Sequence, residues 1–224
     1  MTLRAMRSVV PACLLVAFAT ILPAHADEDC GDIEHNYETV KADAVSVQIN
    51  ITLFASADRG CEALTRKLIE AGGSLLARDR HGAMPLAHAA RAGHPKLVEF
   101  FLGKDAPIDA QNIDGDTALF AAAEAERHST VALLLAHGAN PNLTGRSGRT
   151  PLMAASFKGA DRIAEMLLAH GADANARDRG GMAAILFAAA RGFDDIVRRL
   201  LYSGVDARAR YGNDLTALMW AAGH

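Results

Sequence analysis

A period of 33 residues governs this chain. Leu86, Leu119, Leu152, Ile185 and Leu218 stand 33 apart, and one step back from Leu86 falls on Leu53. A second series runs Gly60, Gly93, Glu126, Gly159 and Gly192, and a third runs Gly72, Asp105, Gly138, Gly171 and Gly204. No insertion disturbs any of them. Three series in one register mean a stack of like units, because a unit this short cannot bury its apolar side alone and must use its neighbours.

Each unit follows one plan. A turn carrying Gly82, Gly115, Gly148 or Gly181 leads into a helix of small residues such as Leu152-Met153-Ala154-Ala155-Ser156. A short turn at Gly159 follows, then a second helix from Asp161 to His170, with Ile163, Met166, Leu167 and Leu168 mostly on one side. Gly171 suits the left-handed position that ends a helix. Apolar residues make up 50% of the chain but aromatics only 5%, which favours close-packed short helices over a β-sandwich.

This pattern resembles the ankyrin repeat. Asp178-Arg179-Gly180-Gly181 and Gly148-Arg149-Thr150-Pro151-Leu152 match the start of that family's unit. Ala89-Ala90-Arg91-Ala92-Gly93-His94 matches its middle, and Gly171-Ala172-Asp173-Ala174-Asn175-Ala176 its end. The resemblance implies an all-α solenoid of stacked helix-turn-helix units joined by β-hairpin-like turns. The expected repeats are 48–77, 81–110, 114–143, 147–176, 180–209 and a partial 213–224, so the repeat domain is 48–224. There are departures. The family's His after Leu is replaced by Phe54, Ala87, Phe120, Met153, Leu186 and Met219, and its Thr survives only as Thr117, Thr150 and Thr216. Apolar contact is expected to replace the lost Thr–His bond. The chain stops at Trp220-Ala221-Ala222-Gly223-His224, before a second helix. The expectation is an array that continues in a longer chain; the alternative is an apolar edge that meets a partner.

Residues 1–26 read as a secretory signal. Arg4 and Arg7 precede an apolar run from Val9 to Leu22, and Ala24-His25-Ala26 is an A-x-A cleavage site, so the mature chain would start at Asp27. The run is shorter than the roughly 20 residues that span a bilayer. The expectation is therefore a periplasmic protein with no membrane attachment after cleavage. Cys13 leaves with the signal. Cys30 and Cys61 remain and can pair in an oxidising compartment, or stay as two thiols.

Charge is unevenly spread. Segment 27–50 holds seven acidic residues and one Lys, while the whole chain carries only −3. An acidic segment at 27–47 thus precedes a nearly neutral body, which lacks the basic excess of a nucleic-acid binder. No G-x-S-x-G, H-E-x-x-H or P-loop occurs, and no catalytic, cofactor or metal site is assigned. His137 and His170 are equivalents one repeat apart. Packed helices lie about 8–10 Å apart, too far for two ligands each about 2 Å from one zinc ion. Asn50-Ile51-Thr52 and Asn142-Leu143-Thr144 match the N-glycosylation pattern.

The resemblance implies a non-enzymatic protein-binding module that uses turn tips and a concave helix face. At the tips, Arg80, Arg146 and Arg179 share one repeat position, broken by Ile113, with Arg149 and Arg210 nearby. They form either a basic ledge for an acidic protein or a solvated row neutralised by Asp79, Asp114, Asp178 and Asp214. A third arrangement folds the acidic segment onto the row. The concave side is expected to show His88, Arg91, Glu124, Phe157, Lys158, Phe187, Arg191 and Trp220. Phe187 and Trp220 are equivalents, either interface anchors or a pair stacked on each other. Alternative readings are a structural or self-assembling array, or an enzyme with an unrecognised site. The sequence sets no oligomeric state.

Overall fold

The computed structural model describes residues 30–40, 46–145, 147–211, 214 and 216–222. The signal segment with its cleavage point Ala26/Asp27, and Arg146, lie outside the described residues. Among the described residues there are helices and turns and no strand. α1 is Gly31–Val40. First helices follow in each unit: α2 (Ser46–Arg59), α4 (Pro85–Ala92), α6 (Ala118–Glu124), α8 (Pro151–Lys158), α10 (Ala184–Ala189) and α12 (Ala217–Ala222). Second helices are α3 (Glu62–Glu70), α5 (Pro95–Leu102), α7 (His128–Ala136), α9 (Asp161–Ala169) and α11 (Asp194–Tyr202). First helices pack on first helices in sequence from α2 to α12, and α5, α7, α9 and α11 pack likewise. No described helix is long and apolar enough to cross a membrane.

The local chemistry explains the elements. Pro85 and Pro151 open their helices, where a missing N–H costs nothing. Thr117 and Thr150 cap theirs, accepting bonds from the Phe120 and Met153 amides at 3.1 and 3.3 Å. Phe120, Met153 and Leu186 stand where the family has His, and all three are buried. Apolar contact has thus replaced the polar support. Where the glycine series is broken, Asp105 and Glu126 adopt the same left-handed backbone, each with φ 59°.

Neighbouring units are tied at both margins. At the tips, Asp79, Asn112 and Asp178 each accept two backbone N–H bonds within their own turn. The Ile113 amide donates to the His81 carbonyl and the Arg179 amide to the Ser147 carbonyl, both at 2.9 Å, joining tip to tip. Gly145 breaks the Asp/Asn pattern, and a Cβ there would make the Asp116 carboxylate of the preceding unit swing aside. At the opposite margin, Asp109 accepts from the Asn140 amide and Asn142 from the Asp173 amide. Asn142 also donates Nδ2–H to the Gly171 carbonyl at 2.9 Å, and Asn50 accepts from the Ser74 amide. Both side chains of the glycosylation patterns are therefore engaged in the folded chain.

The array begins differently from its interior. α2 has 14 residues against 8 in α4, so helix replaces the tip that the first unit would otherwise have. It starts two residues before the expected boundary at 48. α1 lies against it. Cys30 and Cys61 form a disulfide with Cα atoms 5.8 Å apart, and Ile33 is buried. Asp32 pairs with Arg59 at 2.7 Å, and Glu34 pairs with Lys67. The Arg59 guanidinium holds the Asp32 carboxyl below its ordinary range. The described part of the acidic segment thus sits on the first repeat. At the other end α12 rests on α10. There Leu218 is 78% exposed, whereas its equivalents from Leu53 to Ile185 are all buried.

Candidate functional site

The face built from the first helices and the tips holds two dissimilar regions. The first lies at repeats 4 and 5. Phe157 closes α8 and Phe187 sits in α10, with ring centroids 6.1 Å apart and planes at 84°, the edge-to-face arrangement that ring quadrupoles favour. The Arg149 guanidinium lies 5.3 Å from Phe157 and 4.9 Å from Phe187. Arg191 lies 4.5 Å from Phe157 and 5.9 Å from Phe193. Such contacts contribute about 0.5–2 kcal/mol each and hold the cations in fixed positions. Among the described residues no carboxylate pairs with Arg149, Lys158 or Arg191, and the buried Nε of Arg149 has no hydrogen-bond partner. Phe193 reaches this cluster because residue 159 is Gly; a Cβ there would come within 2.6 Å of its ring.

The second region lies at repeats 1 to 3. Here a hollow of about 400 Å³ opens between tips and first helices, lined by Asp58, Asp79, Asp114, Asp116 and Glu124 together with Arg80 and Arg91. His88 forms its floor. Its Nδ1 donates to Asp58 at 2.9 Å, Phe54 stacks on the ring at 5.1 Å, and Asp79 Oδ2 lies 3.2 Å from Nε2. Arg91 reaches Asp58 across the repeat boundary at 3.0 Å. Burial pushes the Asp58 carboxyl up, but the bonds from His88 and Arg91 outweigh it and leave the group below its ordinary range. His94 Nε2 donates to the Asp58 carbonyl at 3.0 Å, which makes His94 a structural tie between units.

The expected site residues divide accordingly. Arg149, Phe157, Phe187 and Arg191 come together. Arg80 and Arg179 are exposed at their tips, and Arg80 Nε donates to His81. Arg210 is bound to Asp214 at 2.9 Å, so its charge is offset locally. Asp79 and Asp178 each accept two bonds of their own turn on Oδ1, Asp79 Oδ2 faces His88, and among the described tip arginines only Arg210 is neutralised by pairing. Trp220 lies in α12 with its side chain outside what is described, and Phe187 pairs with Phe157. His88, expected on the exposed face, is buried at 8% exposure beneath Phe54. Asp58 and Phe193 were not expected; the 33-residue step from Asp58 to Arg91 was the signal for the first. His170 Nδ1 donates to the Met166 carbonyl in its own helix end. Among the described residues no group of three or more His, Cys, Asp or Glu is placed to hold a metal ion.

No curated relative matches the chain. Residues 86–178 match the family model for ankyrin repeats, in three copies. That stretch runs through α4 to α9, the regular middle of the stack, and units of the same 33-residue register continue to either side. The family is typically non-enzymatic, and its repeats generally bind other proteins. On the stack and the match together, this chain is an ankyrin-repeat protein.

Proposed function

We propose that this protein is a non-enzymatic binding module that acts outside the cytosol and holds a partner protein through its turn tips and first-helix face. The observation that carries the reading is the Arg149–Phe157–Phe187–Arg191 cluster. It combines exposed aromatic surface with two guanidiniums that have no carboxylate partner among the described residues, the composition of an interface anchor. A partner that offers an acidic patch to these cations fits best. Arg80 and Arg179 extend the same charge along the tips. The positive start, apolar run and A-x-A site support export to the periplasm, and the Cys30–Cys61 disulfide suits an oxidising compartment.

The test is capture from a periplasmic extract under mild cross-linking, with immobilised wild type beside Arg149→Ala/Arg191→Ala. The double variant is expected to keep its helical circular dichroism and to lose about tenfold or more in partner recovery, the scale of one or two interface hot spots. Equal recovery by both proteins sinks the reading. Sequencing the exported protein tests the compartment, with Asp27 as the expected first residue.

A further inference from the structure

The face changes sign along the array. At repeats 1 to 3 five carboxylates and two guanidiniums line the hollow. At repeats 4 and 5, Arg149, Lys158 and Arg191 stand without a paired carboxylate among the described residues. We infer that this face takes an extended partner segment of mixed sign, with a Lys or Arg side chain in the hollow and an acidic side chain on Arg149 and Arg191. The inference rests on the protein-binding reading and specifies the chemistry of what is bound.

Three observations argue for it. The floor and wall of the hollow offer carboxylate acceptors to a ligand. The side chain of His88 is 9% exposed, and its Nδ1–H is spent on Asp58 because a carboxylate can only accept. The buried Nε2 has no hydrogen-bond partner, although Asp79 Oδ2 is 3.2 Å away. Asp79 accepts its two turn bonds on Oδ1, which leaves Oδ2 on the wall of the hollow as an acceptor for a cationic donor. Glu124, exposed and with no ion pair to it among the described residues, stands at the rim on the side of the basic cluster.

The second observation is size. About 400 Å³ accommodates one long side chain and its backbone, not a helix, which is roughly 10 Å across. The third is spacing. The two regions are centred about two and a half repeats apart, or roughly 20–25 Å at the usual distance between packed helices. An extended chain covers that in about six to eight residues at roughly 3.3 Å each. A segment with its cation and carboxylate at this separation touches both regions at once, and the second contact then forms at high effective concentration.

Fluorescence anisotropy of the full exported chain tests this with four labelled octapeptides: KKGSGSEE, its reverse EEGSGSKK, all-lysine KKGSGSKK and all-glutamate EEGSGSEE. One mixed-sign peptide is expected to bind at least tenfold more tightly than either same-sign peptide, with the advantage falling as salt rises. Glu124→Lys should weaken the mixed and all-lysine peptides and spare the all-glutamate one. Arg191→Glu should weaken the mixed and all-glutamate peptides and spare the all-lysine one. If the mixed peptides bind no better than the stronger same-sign peptide, the inference fails while the capture result still stands on its own. If the wild type self-associates with rising concentration and Glu124→Lys or Arg191→Glu disperses it, the occupant is a second copy, and the inference is overturned. Arg191 and Glu124 are both exposed, so neither variant threatens the fold.

Discussion

The first repeat and the last described helix meet the same problem differently. Every unit presents an apolar side that needs a neighbour. At the first repeat α1 supplies the cover: Ile33 packs in, the Cys30–Cys61 bond fixes it, and Asp32 and Glu34 bind Arg59 and Lys67. At α12 the equivalent surface is open, with Leu218 at 78% and Met219 at 50% exposure, and Tyr202 of α11 at 85%. The same residue class therefore has opposite energetic weight at the two ends. Leu53 and Leu218 occupy equivalent positions, yet one is core and the other is surface.

That contrast can be broken by measurement. Cys30→Ser is expected to have the largest effect, a loss of about 3–4 kcal/mol, since the bond closes a loop across a sequence separation of 31. Urea unfolding of oxidised wild type and variant reads it directly; a change under about 1 kcal/mol would mean that α1 does not seal the array. Next, Leu53→Ala should cost about 3 kcal/mol, as for other fully buried leucines. A smaller effect comes from Asp58, whose carboxyl is depressed in the folded chain. Its contribution is complete above the unfolded value near 3.8 and is lost as pH falls through the lower folded value. Asp58→Asn should therefore lower stability at neutral pH and flatten the acid limb below about pH 4, read by thermal melts across pH. Smallest of all, Leu218→Ala should change stability by less than about 0.5 kcal/mol. A cost there comparable to Leu53→Ala would show that the open end is covered in solution.

The stack was legible because its cause is periodic. Leucines, glycines and capping threonines recur at 33, and each does locally what its chemistry dictates, so the helices and their order follow. Phe157, Phe187 and Arg191 could be placed on one face from their helix positions, whereas Arg149 was expected at the tips and its approach to both rings was not legible. What escaped was whatever departs from the period. Asp105 and Glu126 keep a glycine's backbone without being glycine, so a composition rule misses them. The long α2 fills the place of a tip, and no single residue announces that. His88 sits one residue beyond the family's usual His, and only the fold reveals Asp58 and Asp79 closing around it. The pairing of Phe157 with Phe187 depends on ring orientation, which spacing does not encode.

The cross-link at the first repeat also has a mechanical consequence. A solenoid pulled from its ends yields where neighbours hold least, because each unit is secured only by the next. Here the units along the array are held by packing, while the first is bolted covalently to its cover. Under tension the packed units beyond that bond should yield before the segment between Cys30 and Cys61 does. Reduction of that single bond would leave the first repeat held by packing like the rest.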